Sequence, residues 1–220
     1  MNKYAKIKLV KDFYLNTEEN ILVRNMEDLD CEFISVRNNF SLRTFYHKDP
    51  GFKKAPHYPT IDIRGLFKVA PDLLRQGLWL IPADIIDPRD CLFRGAAIKT
   101  DDKIIAEIKV GSGTVRTVTR DLDIDYRIEC GNDCFDFMIT KVNKRIQIQK
   151  FRYDFYYHVY LCLFHFINAD VNNCCFEFSY YNKPIGWVPE QFICWEVDFF
   201  GEDSPVNRYN YLWSRYERNN

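Results

Sequence analysis

The chain has 220 residues, enough to bury a sizeable core in one large or two small domains. Thirty basic against 31 acidic residues leave a net charge of -1, so no global field draws the chain to nucleic acid or an anionic membrane, and little repulsion keeps copies apart. Aromatics are in surplus, with 18 Phe, 14 Tyr and 4 Trp, and Tyr and Trp are favoured at protein interfaces, where an apolar surface also needs a polar handle.

Tyr4 to Val10 alternates charge with hydrophobe and predicts a half-buried strand, with Lys6 and Lys8 towards water and Ala5, Ile7 and Leu9 towards a core. Met1 to Val10 lacks the continuous apolar stretch of a secretory signal, so the chain is not expected to be exported by one. Its eight cysteines, irregularly spaced, are accordingly read as reduced thiols. Asn20 to Arg24, Glu32 to Val36 and Ser41 to Tyr46 read as three further strands. Lys48 to Pro59 carries three prolines and a glycine, which excludes regular structure and leaves a sheet crossover or a contact loop presenting Phe52, His57 and Tyr58.

Ile61 to Ile81 predicts a strand through Ile61, Ile63, Phe67 and Val69, a short corner helix from Pro71 to Gln76, a left-handed exit at Gly77 and a second strand. A turn that short cannot carry a parallel crossover, so the chain passes from sheet to sheet. Cys91 to Lys99, Lys103 to Val110 and Thr114 to Thr119 continue as an antiparallel meander jointed at Thr100-Asp101-Asp102 and Gly111-Ser112-Gly113. The run from Lys68 to Ile81, with Pro71-Asp72-Leu73-Leu74, Gly77 and then Leu78-Trp79-Leu80-Ile81, resembles a segment of β-sandwich modules in bacteriophage baseplate and tail-fibre proteins. That resemblance implies a virion part without catalytic residues, assembled in the host cytoplasm with other subunits.

Further on, Tyr126 to Cys130 and Phe135 to Val142 read as strands around Gly131-Asn132-Asp133, and Arg145 to Phe151 alternates as another. Phe155 to Ile167 is apolar throughout; periodicity fits a buried strand or a core helix, and its aromatic and β-branched content favours the strand. Phe176 to Val188 predicts a hairpin and Cys194 to Phe200 a last strand. The tail holds Tyr209, Tyr211, Trp213 and Tyr216, a surface expected to lie on another protein. A boundary near Asp121 to Asp125 divides the chain into regions 1–120 and 121–220.

Signals for chemistry are sparse. Asp84 or Asp87 followed by Glu107-Ile108-Lys109 fits the pattern of PD-(D/E)xK nucleases, in which alternation sets Glu and Lys on one strand face beside a metal. A water-facing E-x-K alternation is the plainer account. Cys130 and Cys134 lack a second ligand pair, so no metal site is expected. His158 and His165 would share one face of a helix but not of a strand, and each suits a satisfied core position. The basic cluster Lys141, Lys144, Arg145, Lys150 and Arg152, near Tyr153, Tyr156 and Tyr157, suits a solvated face better than a single-strand nucleic-acid platform. With no glycine-rich phosphate loop or nucleophile elbow, no cofactor is expected. The sequence therefore predicts an all-β antiparallel sandwich protein acting as a non-enzymatic, oligomeric docking component, with a metal-dependent nuclease as the alternative.

Overall fold

The computed structural model describes residues 3–13, 15–48, 54–111, 124–131, 137–141, 152–181 and 192–199. Helix α1 (Lys3–Asp12) and the single turn α2 (Glu32–Ser35) precede β1 (Asn39–Tyr46), β2 (His57–Asp62), α3 (Ile63–Arg75) and β3 (Leu78–Ala83). Then follow β4 (Cys91–Lys99), β5 (Lys103–Val110), β6 (Tyr126–Gly131), β7 (Phe137–Lys141), α4 (Arg152–Asn168), β8 (Cys174–Tyr181) and β9 (Phe192–Phe199). The strands form two antiparallel sheets, ordered β2-β1-β3 and β7-β6-β5-β4-β8-β9.

The chain is mostly β, as the alternating segments require, but its helices correct the all-β expectation. Tyr4 to Val10 is helical because Ile7 and Val10, three residues apart, are its buried positions, whereas Leu9 is only half-buried. Glu32 to Val36 is a helical turn rather than a strand, and Asn20 to Arg24 contributes only isolated bridges from Asn20 to Ala83 and from Val23 to Leu80. The corner helix begins eight residues before Pro71. Asp62 caps it by accepting from the Gly65 amide at 2.6 Å, and Leu66, Ala70 and Leu73 form a buried stripe one or two turns apart against β1, β2 and β3. Pro71 lies inside this helix, and Gly77 leaves it with φ of 79°. His57 to Pro59, expected within an irregular loop, opens β2.

The first sheet and α3 enclose a core of Leu42, Leu66, Leu78 and Leu80. The second core lies between one face of the six-stranded sheet and α4, where Phe155, Val159, Leu163 and Phe166 meet Phe93, Ala97, Phe176 and Phe178. A helix rather than a second sheet therefore packs this face. Helix α1 joins the two bodies: Ile7 packs with Phe45 and Ile81 of the first sheet, while Val10 enters the second core. The Cys194 amide also donates to the Asn16 carbonyl at 2.7 Å. The boundary expected near Asp121 to Asp125 falls between β5 and β6, which are neighbours in one sheet, so that sheet runs across it.

Lys99 fixes α4 to the sheet. Its buried Nζ donates to the carbonyls of Ile167 and Ala169, 3.1 and 2.7 Å away, at the end of the helix, where carbonyls lack intrahelical donors and carry negative partial charge. Burial pulls the pKa of this ammonium down. Lys99→Met keeps the stem but removes the donor, and is expected to lower stability by about 1–3 kcal/mol, read from the midpoint of urea unfolding.

Among the described residues, Cys91, Cys162, Cys174 and Cys194 are buried free thiols, Cys130 and Cys175 are also buried, and Cys31 is free and half-buried. Burial raises Cys91 to about 11 and Cys174 to about 12. Below pH 9 these thiols are protonated whether the chain is folded or not; above it the unfolded chain ionises first, so they favour unfolding as pH rises from 9 to 11. Cys91→Ala is expected to reduce the slope of stability against pH across that window, measured by urea unfolding at successive pH values.

Candidate functional site

Among the residues that sequence singled out for chemistry, Glu107 and Lys109 do share a face of β5, and Glu107 is buried. Register places Glu107 between Arg127 on β6 and Ala96 on β4, with Glu177 beyond Ala96 on β8 and Glu196 beyond that on β9. Arg94, two residues from Ala96, adds a buried guanidinium to the same face. This row of mixed sign lies opposite the α4-facing side of the sheet, and the Glu107–Arg127 juxtaposition is a favourable cross-strand pair.

Asp84 belongs to the other body, immediately after β3. Its Oδ1 accepts from Arg37 Nε at 2.6 Å, while Arg37 also pairs with Glu19, donates to the Phe33 carbonyl at 3.1 Å and stacks over the Phe33 ring at 3.9 Å. Asp87 is half-buried and holds Arg89. Asp84 is thus part of a structural knot tying the segment before β1 to the end of β3. Among the described residues no group of three His, Cys, Asp or Glu is placed to hold a metal ion.

Phe52, Tyr209, Tyr211, Trp213 and Tyr216 lie outside the described residues, as do the strands expected at Thr114 to Thr119 and Arg145 to Phe151, the second half of the Phe176 to Val188 hairpin, and Cys134. His57 is exposed at the start of β2, opposite Arg43, and Tyr58 packs half-buried on the first core. Of the basic cluster, Lys141 ends β7 and Arg152 begins α4; Lys144, Arg145 and Lys150 are outside the described residues.

The segment that differs most from expectation is α4. Phe155 to Ile167 forms a helix, and from Phe155 to its end at Asn168 it contains no Lys, Arg, Asp or Glu. Its inner face is the second core. His158 and His165, on its flank as the helical alternative requires, are both engaged with the sheet: His158 Nδ1 lies 3.0 Å from the Tyr180 hydroxyl, and the His165 ring stacks on Phe192 at 4.6 Å. The outer face presents Tyr157, Tyr160 and Phe164, which are 60%, 42% and 52% exposed, with Asn168 at its end. A helix apolar all round is normally enclosed on all sides, and the centres of protein interfaces are poor in charge and rich in aromatics. No helix among the described residues is long and apolar enough to cross a membrane.

Sequence reasoning missed this stripe because it assigned a strand. The available signal was the spacing of Tyr157, Tyr160 and Phe164 at i, i+3 and i+7 together with fifteen uncharged residues. Neither a protein-family model nor a curated protein sequence matches the chain.

Proposed function

We propose that the chain is a non-enzymatic interaction protein that docks to other protein subunits through the outward face of α4. The observation that carries this reading is an exposed aromatic stripe on a helix with no charge along its last fourteen residues. Surface helices ordinarily carry charge on the outer side, and leaving Tyr157, Tyr160 and Phe164 in water forgoes the burial free energy of three aromatic rings. The resemblance of Lys68 to Ile81 to phage β-sandwich modules supports the specific form of the proposal, a virion tail, connector or baseplate component.

The test is to mix the purified chain with the purified products of its neighbouring genes and follow complex formation by size-exclusion chromatography with light scattering. A stoichiometric assembly, with itself or with one of those products, is expected, and Phe164→Glu should weaken it at least 100-fold while leaving circular dichroism unchanged, since Phe164 is half exposed. Wild type and variant both remaining lone monomers in every mixture would overturn the reading.

A metal-dependent nuclease has less support, because it needs a further carboxylate beside Glu107 and Lys109, whereas Asp84 is paired with Arg37 in the other body. Magnesium-dependent cleavage of DNA or RNA that disappears in Glu107→Ala would favour it over docking.

A further inference from the structure

Residues 15–23 run from one body to the other. Leu15 is anchored in the core between α4 and the six-stranded sheet, and Val23 in the core beneath α3, where its amide and carbonyl pair with the carbonyl and amide of Leu80 at 2.9 and 3.0 Å. Between these anchors the segment lies along the outer edges of both sheets. The Asn16 carbonyl accepts from the Cys194 amide of β9 at 2.7 Å, the Glu19 carbonyl accepts from the Asp84 amide just after β3 at 3.0 Å, and the Ile21 amide donates to the Pro82 carbonyl of β3 at 3.2 Å. Among the described residues these ties are separate bonds and an isolated bridge from Asn20 to Ala83, not a continuous ladder.

The middle of this segment is poorly satisfied. Thr17 and Glu18 turn inward and are 8% and 1% exposed. Glu18 Oε1 lies 2.5 Å from Nη1 of Arg43 on β1, whose guanidinium stacks over Trp195 of β9 at 5.2 Å. Neither Glu18 Oε2 nor Thr17 Oγ1 has a hydrogen-bond partner among the described residues, although both atoms are enclosed. A buried carboxylate with one oxygen idle, next to a buried hydroxyl, gives up hydration that the fold does not replace. Swinging residues 16–21 outward returns both groups to water, and it breaks separate bonds in place of a cooperative ladder.

We propose that residues 16–21 form a strap that opens as a unit while α1 and both sheets stay folded. This device goes beyond the docking role of α4, because it acts at the junction of the two bodies. Opening parts Glu18 from Arg43 and leaves the Cys194 and Asp84 amides and the Pro82 carbonyl unpaired at the edges of β9 and β3, the condition in which a sheet edge accepts another strand. The closed strap blocks those edges, so its opening equilibrium sets how often they are bare.

Native-state hydrogen exchange of the full chain, with amides resolved by NMR, tests the proposal. The amides of Ile21, Asp84 and Cys194 are expected to be protected at least about 100-fold less than those in the middle of β4, a strand paired on both sides, and to exchange at rates nearly independent of low urea concentrations. If the three instead share the protection and urea dependence of the β4 amides, the strap leaves only when the whole chain unfolds and the proposal is overturned. Low protection at one of them with global protection at the others would overturn opening as a unit. Thr17→Val keeps the branched shape and removes the hydroxyl, so it should slow exchange of the same three amides about tenfold. An unchanged rate in that variant would overturn the buried polar groups as the cause of opening.

Discussion

Replacing Gly95 with alanine is expected to destabilise the protein by about 3 kcal/mol or more, lowering the melting temperature by roughly 6–12 °C for a chain of this size. Gly95 lies in the middle of β4, between Ile108 of β5 and Phe178 of β8. A Cβ there would sit 2.3 Å from the Glu107 carbonyl oxygen, 2.8 Å from an Ile108 methyl and 2.9 Å from the tip of the Phe178 ring. The first contact is with backbone of a neighbouring strand, which cannot rotate away, so the β4–β5 ladder itself must shift. Gly111→Ala is a useful contrast, because φ of 93° strains any side chain there while nothing lies within 4 Å. Its cost should be about 1–2 kcal/mol, the penalty of a left-handed conformation without a clash. Equilibrium urea unfolding of both variants measures the difference; equal losses would mean that close packing at Gly95 is not what matters there.

Phe166→Ala is expected to cost about 3–5 kcal/mol. Phe166 is fully buried at the centre of the contact between α4 and the sheet, stacked on Phe176 at 4.8 Å and edge-on to Phe178 and Phe192 at 5.0 and 5.4 Å. Truncation removes the transfer free energy of a ring and opens a cavity bounded by other rings that are themselves interlocked, and a stiff wall collapses poorly. The substitution is on the opposite side of α4 from Tyr157, Tyr160 and Phe164. Loss of assembly in Phe166→Ala should therefore follow its loss of fold in thermal scans, whereas Phe164→Glu should lose assembly without a shift in melting temperature. A stable, folded Phe166→Ala chain would contradict the place given to α4 in the core.

The hairpin of β4 and β5 was fully legible in the sequence. Both strands have the expected bounds, because Thr100 closes the turn locally: its amide donates to the Lys103 carbonyl and its hydroxyl accepts from the Lys103 amide. The strand expected from Ser41 to Tyr46 and those beginning at Leu78 and Tyr126 also form, with bounds within a few residues. Helices were read poorly for two separate reasons. In α3, the alternation of Ile61, Ile63, Phe67 and Val69 mimics a strand, yet the buried residues are Leu66, Ala70 and Leu73, and only packing on β1 to β3 selects that set. In α4, Phe155 to Asn168 carries no charge, so the apolar–polar contrast that separates a helical from a strand period is weak there.

Sequence by itself determined which segments pair locally and that Gly77 reverses the chain, since each depends on neighbours within a few residues. Tertiary structure alone decided that α1 joins two cores, that α4 is a helix between a sheet and an exposed stripe, and that Asp84 is bound to Arg37 in a different body from Glu107. Those outcomes depend on contacts between residues far apart in the chain, where burial against a particular partner surface outweighs intrinsic propensity.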